Sequence, residues 1–369
     1  MTTLALDAMG GDFAPRVPVE AALRVLRETP CEIVLVGDGR TLEAELRRRG
    51  APVGRLHIEH TPEALTAGDA PTALLREKPR ASVRMACALV AQGHADAVIG
   101  AGHTGALMVA AKHELGTLPG IGRPAIATPL PLRRGSSVLL DSGANVDCKP
   151  HYLRQFAQMG QVYARVVGGV SSPRVALLSN GGEPGKGNEL VRQAYALLEE
   201  SVPGFVGNLE GRDLFRGRAD VLVCDGFVGN LVLKTAEAAD VQMRLLMKEA
   251  IARSPLARLG ALLMRGVFLE LQRRTDYREV GGSLLLGLNG VALVCHGASN
   301  ARTLFNASLV AARCVEGRLV PALAAEFARQ AATGEGPGEL PTTPADAAPD
   351  PPADPADAAA GPASRGGTG

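Results

Sequence analysis

The sequence predicts an α/β fold: a mostly parallel sheet with helices on both faces and a protruding amphipathic helical hairpin. Three observations predict it. Short, continuous apolar runs alternate with longer amphipathic stretches from residue 4 to residue 331. The apolar runs read as strands buried on both faces, the pattern of parallel sheets, so the alternation means βαβ units. A leucine- and arginine-rich stretch at about 230–275 breaks at Ser254-Pro255, an N-cap followed by a first-turn proline, and so reads as two helices.

In chain order the expected strands are Leu4–Asp7, Ile33–Gly37, Leu56–Glu59, Ala97–Gly100, Ala125–Pro129, Val138–Asp141, Val175–Ser179, Val221–Asp225 and Val291–His296. The expected helices are 17–28, with Pro18 in its first turn, then 40–49, 71–92, 104–116, 150–166, 188–199, 228–252, 255–274 and 299–331. These elements make one domain over residues 1–332. From Thr333 to Gly369 the chain is Pro, Ala, Gly and Asp with hardly a large apolar residue, so a disordered tail is expected.

Composition narrows the function. The 369 residues are 46% hydrophobic, enough for a large core. A net charge of +1, with 3% aromatics and no Trp, excludes a global basic field for nucleic acid and a base-stacking platform. Cys31, Cys87, Cys148, Cys224, Cys295 and Cys314 are scattered with no CxxC pair, which reads as buried free thiols in a reducing compartment. The N-terminus lacks the pattern of a signal peptide. No apolar run reaches the roughly 18 residues of a membrane span, so a cytoplasmic protein is expected.

Ligands of open α/β sheets bind beyond the carboxyl ends of strands. There this chain is polar and glycine-rich: Asp7–Asp12, Gly100–Gly105, Asp141–Asn145, Ser179–Asn188, Asp225–Asn230 and His296–Asn300. Six such loops, each opening a helix, suggest a ring of N–H groups and helix N-termini suited to an anion, foremost phosphate. Lys186, flanked by Gly185 and Gly187, presents a cation there. Asp7, Asp141 and Asp225 each end an apolar run, as helix caps, as a general acid or base, or as a group that positions Lys186.

Other chemistries fail on spacing. Asn180 stands where a P-loop needs its first glycine, and Gly187 where it needs Ser or Thr. Leu42 stands at the third glycine of a dinucleotide fingerprint. There is no G-x-S-x-G elbow, and Cys148 has no evident base. His57 and His60 lie on a strand with no third ligand, so neither a metal nor a cofactor is expected. In the helix pair, Arg244, Lys248, Arg253, Arg258, Arg265, Arg273 and Arg274 accompany the leucines. This suits an anionic membrane or an acidic partner, or a pair of core or dimer-interface helices with basic outer faces.

Seven motifs carry a family resemblance: LDAMGGD (6–12), AGHTGAL (101–107), LDSGAN (140–145), EPGKGNE (183–189), GNLEGRDLF (207–215), CDGFVGN (224–230) and CHGASN (295–300). From about Leu4 to Gly317 the chain resembles the PlsX family, the bacterial acyl-acyl-carrier-protein:phosphate acyltransferases. The resemblance implies a fold like that of phosphotransacetylases and isopropylmalate dehydrogenases, usually as a homodimer. It implies transfer of a fatty acyl group from acyl carrier protein to inorganic phosphate, giving acyl phosphate for a membrane glycerol-3-phosphate acyltransferase, with peripheral contact at the membrane's inner face.

On that footing Lys186, Asp225, Asn188 and His103 are the expected catalytic residues. Asp7, Gly10, Gly11, Asp12, Thr104, Ser142, Asn145, Gly187, Asn230 and His296 are expected to bind substrate. The amides of Gly10-Gly11 and Gly187-Asn188 would cradle phosphate, and Asp225 would orient Lys186 or Asn230. The family usually carries Asn where this chain has His103, and Asn-Ile-Gly-Glu-Glu where it has Ser179–Pro184. A coenzyme A-dependent phosphotransacetylase and a non-catalytic membrane-docking scaffold are the alternatives.

Overall fold

A computed structural model describes residues 1–332 apart from 51–53, 67, 133–134, 269 and 271–280. Its strands are β1 (Thr3–Asp7), β2 (Glu32–Gly37), β3 (Leu56–His60), β4 (Ala97–Gly102), β5 (Ala125–Pro131), β6 (Ser136–Leu140), β7 (Val175–Leu178), β8 (Phe205–Leu209), β9 (Val221–Val223), β10 (Ser283–Leu286) and β11 (Val291–His296). Its helices are α1 (Arg16–Glu28), α2 (Gly39–Arg49), α3 (Ala73–Arg76), α4 (Ser82–Ala91), α5 (Thr104–Leu115), α6 (Pro150–Val166), α7 (Glu189–Ser201), α8 (Gly226–Ala252), α9 (Pro255–Leu263), α10 (Ala301–Glu316) and α11 (Leu319–Ala332).

The strands join in one sheet, ordered β3-β2-β1-β4-β11-β10-β5-β6-β9-β7-β8. The first five are mutually parallel, as are the last four. Between them β10 runs antiparallel to both β11 and β5, and β5 antiparallel to β6. Three reversals set the two parallel blocks in opposite directions. The expected single ring of loops is therefore corrected to two sets, one at the carboxyl end of each block, with β10 and β5 as the seam.

Alternating side chains make a two-faced core. Leu4 and Leu6 of β1 face the cluster holding Val19 of α1, Phe156 of α6 and Leu304 of α10. Ala5 faces the opposite cluster, with Cys87 of α4 and Met108 of α5.

Three further corrections have local causes. Residues 71–92 form two helices, since Pro79 disfavours helical geometry at Lys78 and offers no N–H. The 299–331 segment divides at Arg318, whose φ of 55° is left-handed. Strands β8 and β10 are additions, the first interrupted by Gly207, the second only four residues long. Ser254 does cap α9, accepting the Ala257 N–H at 3.3 Å, with Pro255 in the first turn. The rest of the expected 255–274 helix reaches residues outside the described ones, as does the tail after 332. Among the described residues no helix is long and apolar enough to cross a membrane.

Candidate active site

The first block gathers three loops. Asp12 N–H donates to Gly297 O at 2.9 Å, tying the loop after β1 to the loop after β11. Gly10, Gly11 and Gly102 are packed so closely that a Cβ at Gly102 would lie 2.9 Å from Gly11 N. Asp7 lies beneath, buried, accepting the Met9 N–H at 3.1 Å. Burial pushes its carboxyl up, opposed by hydrogen bonds from Ser82, Met9 and Gly10. His103 and His296 are both exposed at the rim, and the His296 Nδ1 accepts the Ala298 N–H at 3.1 Å. Thr104 opens α5.

The second block gathers Asp141–Asn145 and Asp225–Asn230. Asp141 is fully buried and accepts five N–H donors. Its Oδ1 takes Ile126, Gly143 and Ala144 at 2.9–3.1 Å, and its Oδ2 takes Asn145 N at 2.6 Å and Nδ2 at 2.9 Å. Burial pushes the carboxyl up while these donors act against it. Since all five partners donate, the acceptor-only carboxylate is the form that satisfies them.

The first turn of α8 runs directly over this loop. Gly226 N–H donates to Asn145 O at 2.7 Å, and a Cβ at Gly229 would collide with Asp141 O. That close approach explains both glycines of CDGFVGN. Asp225 caps α8, accepting the Val228 N–H at 2.8 Å, and Asn230 stands against Gly143. The cap fixes where Asn230 emerges.

The loop after β7 carries Lys186, whose exposed side chain has no hydrogen bond or ion pair among the described residues, while its backbone N–H donates to Glu183 O at 3.1 Å. Its aliphatic stem lies over Gly181, where a Cβ would meet Lys186 Cγ at 2.8 Å. Gly187 N–H donates to Asn180 Oδ1 at 3.0 Å, so this amide serves its own loop. Asn188 caps α7, accepting the Val191 N–H at 2.9 Å.

Two links join the blocks. Helix α5 starts at the first block's loops, and Met108 and Lys112 line a small pocket with Arg123 and Pro124, just before β5, and Asn145 of the second block. At 1.5 Å per residue, Met108 is only about 6 Å along the helix from Thr104. The other link is a hydroxyl row at the seam: Ser142 Oγ and Ser283 Oγ each lie 2.7 Å from Thr128 Oγ1. Thr128 and Ser283 were not among the expected site residues. A lone Thr in Ala-Thr-Pro and a Ser opening a four-residue strand give no sequence signal.

Five of the six thiols are held in the unreactive, protonated form by burial. Burial pushes Cys148 up, with Asp141 and Asp225 adding to the effect, and Cys295 and Cys314 are pushed up to about 12.

The described sheet and its glycine-packed loops define an α/β fold that phosphotransacetylases share. Solved structures of similar fold include a phosphotransacetylase from Streptococcus pyogenes (TM-score 0.57, 18% identity, 85% of this chain and 94% of that one). A branched-chain phosphotransacylase from Enterococcus faecalis V583 gives a TM-score of 0.54 at 17% identity, over 85% and 99% of the two chains.

Sequence comparison is more specific. The family model described as "Fatty acid synthesis protein" matches residues 2–320. A phosphate acyltransferase from Pelotomaculum thermopropionicum is 48% identical over 317 residues, 86% of this chain and 92% of the relative. One from Heliobacterium modesticaldum is 46% identical over 321 residues, 87% and 96% of the two. The chain belongs to this family, the PlsX phosphate acyltransferases, and is an acyltransferase.

Proposed function

We propose that the protein transfers a fatty acyl group from the thioester of acyl carrier protein to inorganic phosphate. The observation that carries this reading is the match along 317 residues to a phosphate acyltransferase. The geometry supports it. Phosphate is itself the nucleophile, so no cysteine has to act as one, and what the protein must supply is charge, orientation and an oxyanion partner. A phosphate oxygen attacks the thioester carbonyl carbon. The C–O bond forms, the tetrahedral oxyanion collapses, the C–S bond breaks, and the phosphopantetheine thiolate leaves to be protonated by solvent.

In this reading Lys186 neutralises phosphate, and His103, Thr104, Asn230 and His296 face the reacting centre. Asp225 and Asn188 hold the helix starts that aim them. Asp7, Gly10, Gly11, Asp12, Asn145 and Gly187 hold the loops in register, and Ser142 stands at the seam between the blocks.

The reading extends to a cytoplasmic homodimer in peripheral contact with the inner face of the membrane, or with a membrane glycerol-3-phosphate acyltransferase. Exposed Leu256 (78%) and Leu263 (81%) on α9, with Arg253 and Arg258 beside them, support that contact. The test is phosphate-dependent thiol release from palmitoyl-acyl carrier protein, with palmitoyl-coenzyme A run in parallel. Release from the carrier protein, abolished by Lys186→Ala, is expected. Release from coenzyme A alone would move the assignment to a coenzyme A-dependent phosphotransacetylase. Release from neither would leave a docking scaffold.

A further inference from the structure

The hydroxyl row at the seam has an uneven exposure. Ser142 is 6% exposed, whereas Thr128 and Ser283 are half-buried, so the latter two are the members of the row nearer solvent. The row also lies between the blocks. Ser142 follows β6, Thr128 is in the middle of β5, and Ser283 is within the β10–β11 pairing, opposite Val294, two residues before His296.

Three hydroxyls have three protons to place. Ser142 Oγ is 3.2 Å from Ile126 O, a long hydrogen bond, and 2.7 Å from Thr128 Oγ1, a short one. With Ser142 donating to Ile126 O, Thr128 donates to Ser142 and Ser283 to Thr128. Every proton is then used, and the row offers a ligand only lone pairs. Turning the Ser142 hydroxyl toward Thr128 frees the row: Ser142 donates to Thr128, Thr128 to Ser283, and the Ser283 proton is released outward. Alternatively Thr128 gives up its hydrogen bond to Ser283, and both hydroxyls then donate outward to one anionic oxygen that contacts the two. The turn leaves no orphan, because Ile126 O keeps the Ser142 N–H at 3.1 Å. Each donor in such a chain strengthens the next.

We infer that Thr128 and Ser283 are ligand-binding donors for an anionic oxygen, and that Ser142 is a positioning residue whose hydroxyl switches the row from closed to donating. This rests on the acyl-transfer reading. The oxygen belongs either to phosphate or to the thioester oxyanion, and kinetics tell these apart. Loss of a phosphate contact raises the KM for phosphate, whereas loss of an oxyanion contact lowers kcat at saturating phosphate.

Thr128→Val, which keeps the branched shape and removes the hydroxyl, is expected to lower kcat/KM by about tenfold to a hundredfold, the effect of one hydrogen bond to a charged group. Thr128→Ser should restore it to within about threefold, a rescue that a purely structural role at the seam would not show. Ser283→Ala should reproduce the same kinetic split, and Ser142→Ala a smaller loss of about threefold to tenfold, since polarisation alone is removed. Should Thr128→Val fail to fold, Ser283→Ala and Thr128→Ser decide the matter. An active wild type with Thr128→Val and Ser283→Ala within twofold of it overturns this inference and leaves the acyl-transfer reading standing. A wild type that neither turns over nor binds inorganic phosphate removes both.

Discussion

Asp141→Asn is the sharpest perturbation of the second block. The carboxylate offers two acceptor oxygens to five donors; the amide offers one. With its oxygen turned to Ile126, Gly143 and Ala144, its NH2 faces Asn145 N–H at 2.6 Å and Nδ2 at 2.9 Å. The Asn145 side chain cannot turn to relieve this without losing its bond to Pro124 O at 2.9 Å. Asn145 is buried, so its backbone N–H is left without water, a penalty of about 1–3 kcal/mol. The three remaining bonds also fall from charge-assisted to neutral, a loss of roughly 0.5–1 kcal/mol each. The expected destabilisation is about 3–6 kcal/mol. In urea, with a slope near 3 kcal/mol/M for a chain of this size, the midpoint should fall by about 1–2 M with the slope unchanged. A loss under about 1 kcal/mol would refute the reasoning, because it would mean that burial wins over the donors and Asp141 is already protonated in the native state.

Three further outcomes are expected. Gly229→Ala, a substitution that usually stabilises a helix interior, should here destabilise by about 3 kcal/mol in urea titration, because the new Cβ meets the Asp141 backbone; a neutral or stabilising result would mean that α8 does not lie on that loop. A thiol reagent at pH 8 should leave Cys87, Cys224, Cys295 and Cys314 of the folded protein unmodified and label all six cysteines after denaturation. Asp7, whose folded pKa is raised by burial, contributes stability present in full below its unfolded value of about 3.8 and lost as pH rises through the folded value. Thermal midpoints should therefore show a downward slope with pH in that window that flattens in Asp7→Asn.

Much of the sheet was legible because burial dictates composition: Leu4-Ala5-Leu6 must be apolar on both sides to sit between two helical layers. The glycines of LDAMGGD and CDGFVGN were legible as special, and the structure supplies the reason in backbone-to-backbone packing at Gly102 and Gly229. Strand direction was not legible. A run such as Ala125–Pro129 is equally apolar whether its neighbours run with or against it, so the reversals at β5 and β10, and with them the division of the loops into two sets, had no sequence signature. The partner of the Gly187 amide was not legible either, since it donates to Asn180 Oδ1, which only the folded loop reveals. Thr128 is the clearest omission, since its importance comes from Ser142 and Ser283, which are distant in sequence and joined to it only across the seam.

The central claim is that phosphate, not a protein side chain or water, takes the acyl group. Radiolabelled inorganic phosphate incubated with palmitoyl-acyl carrier protein and the enzyme tests it directly. Label should pass into organic-extractable acyl phosphate in an amount equal to the thiol released, and both should vanish without phosphate or in Lys186→Ala. Thiol released without phosphate, or released with no label in the acyl product, would contradict the account.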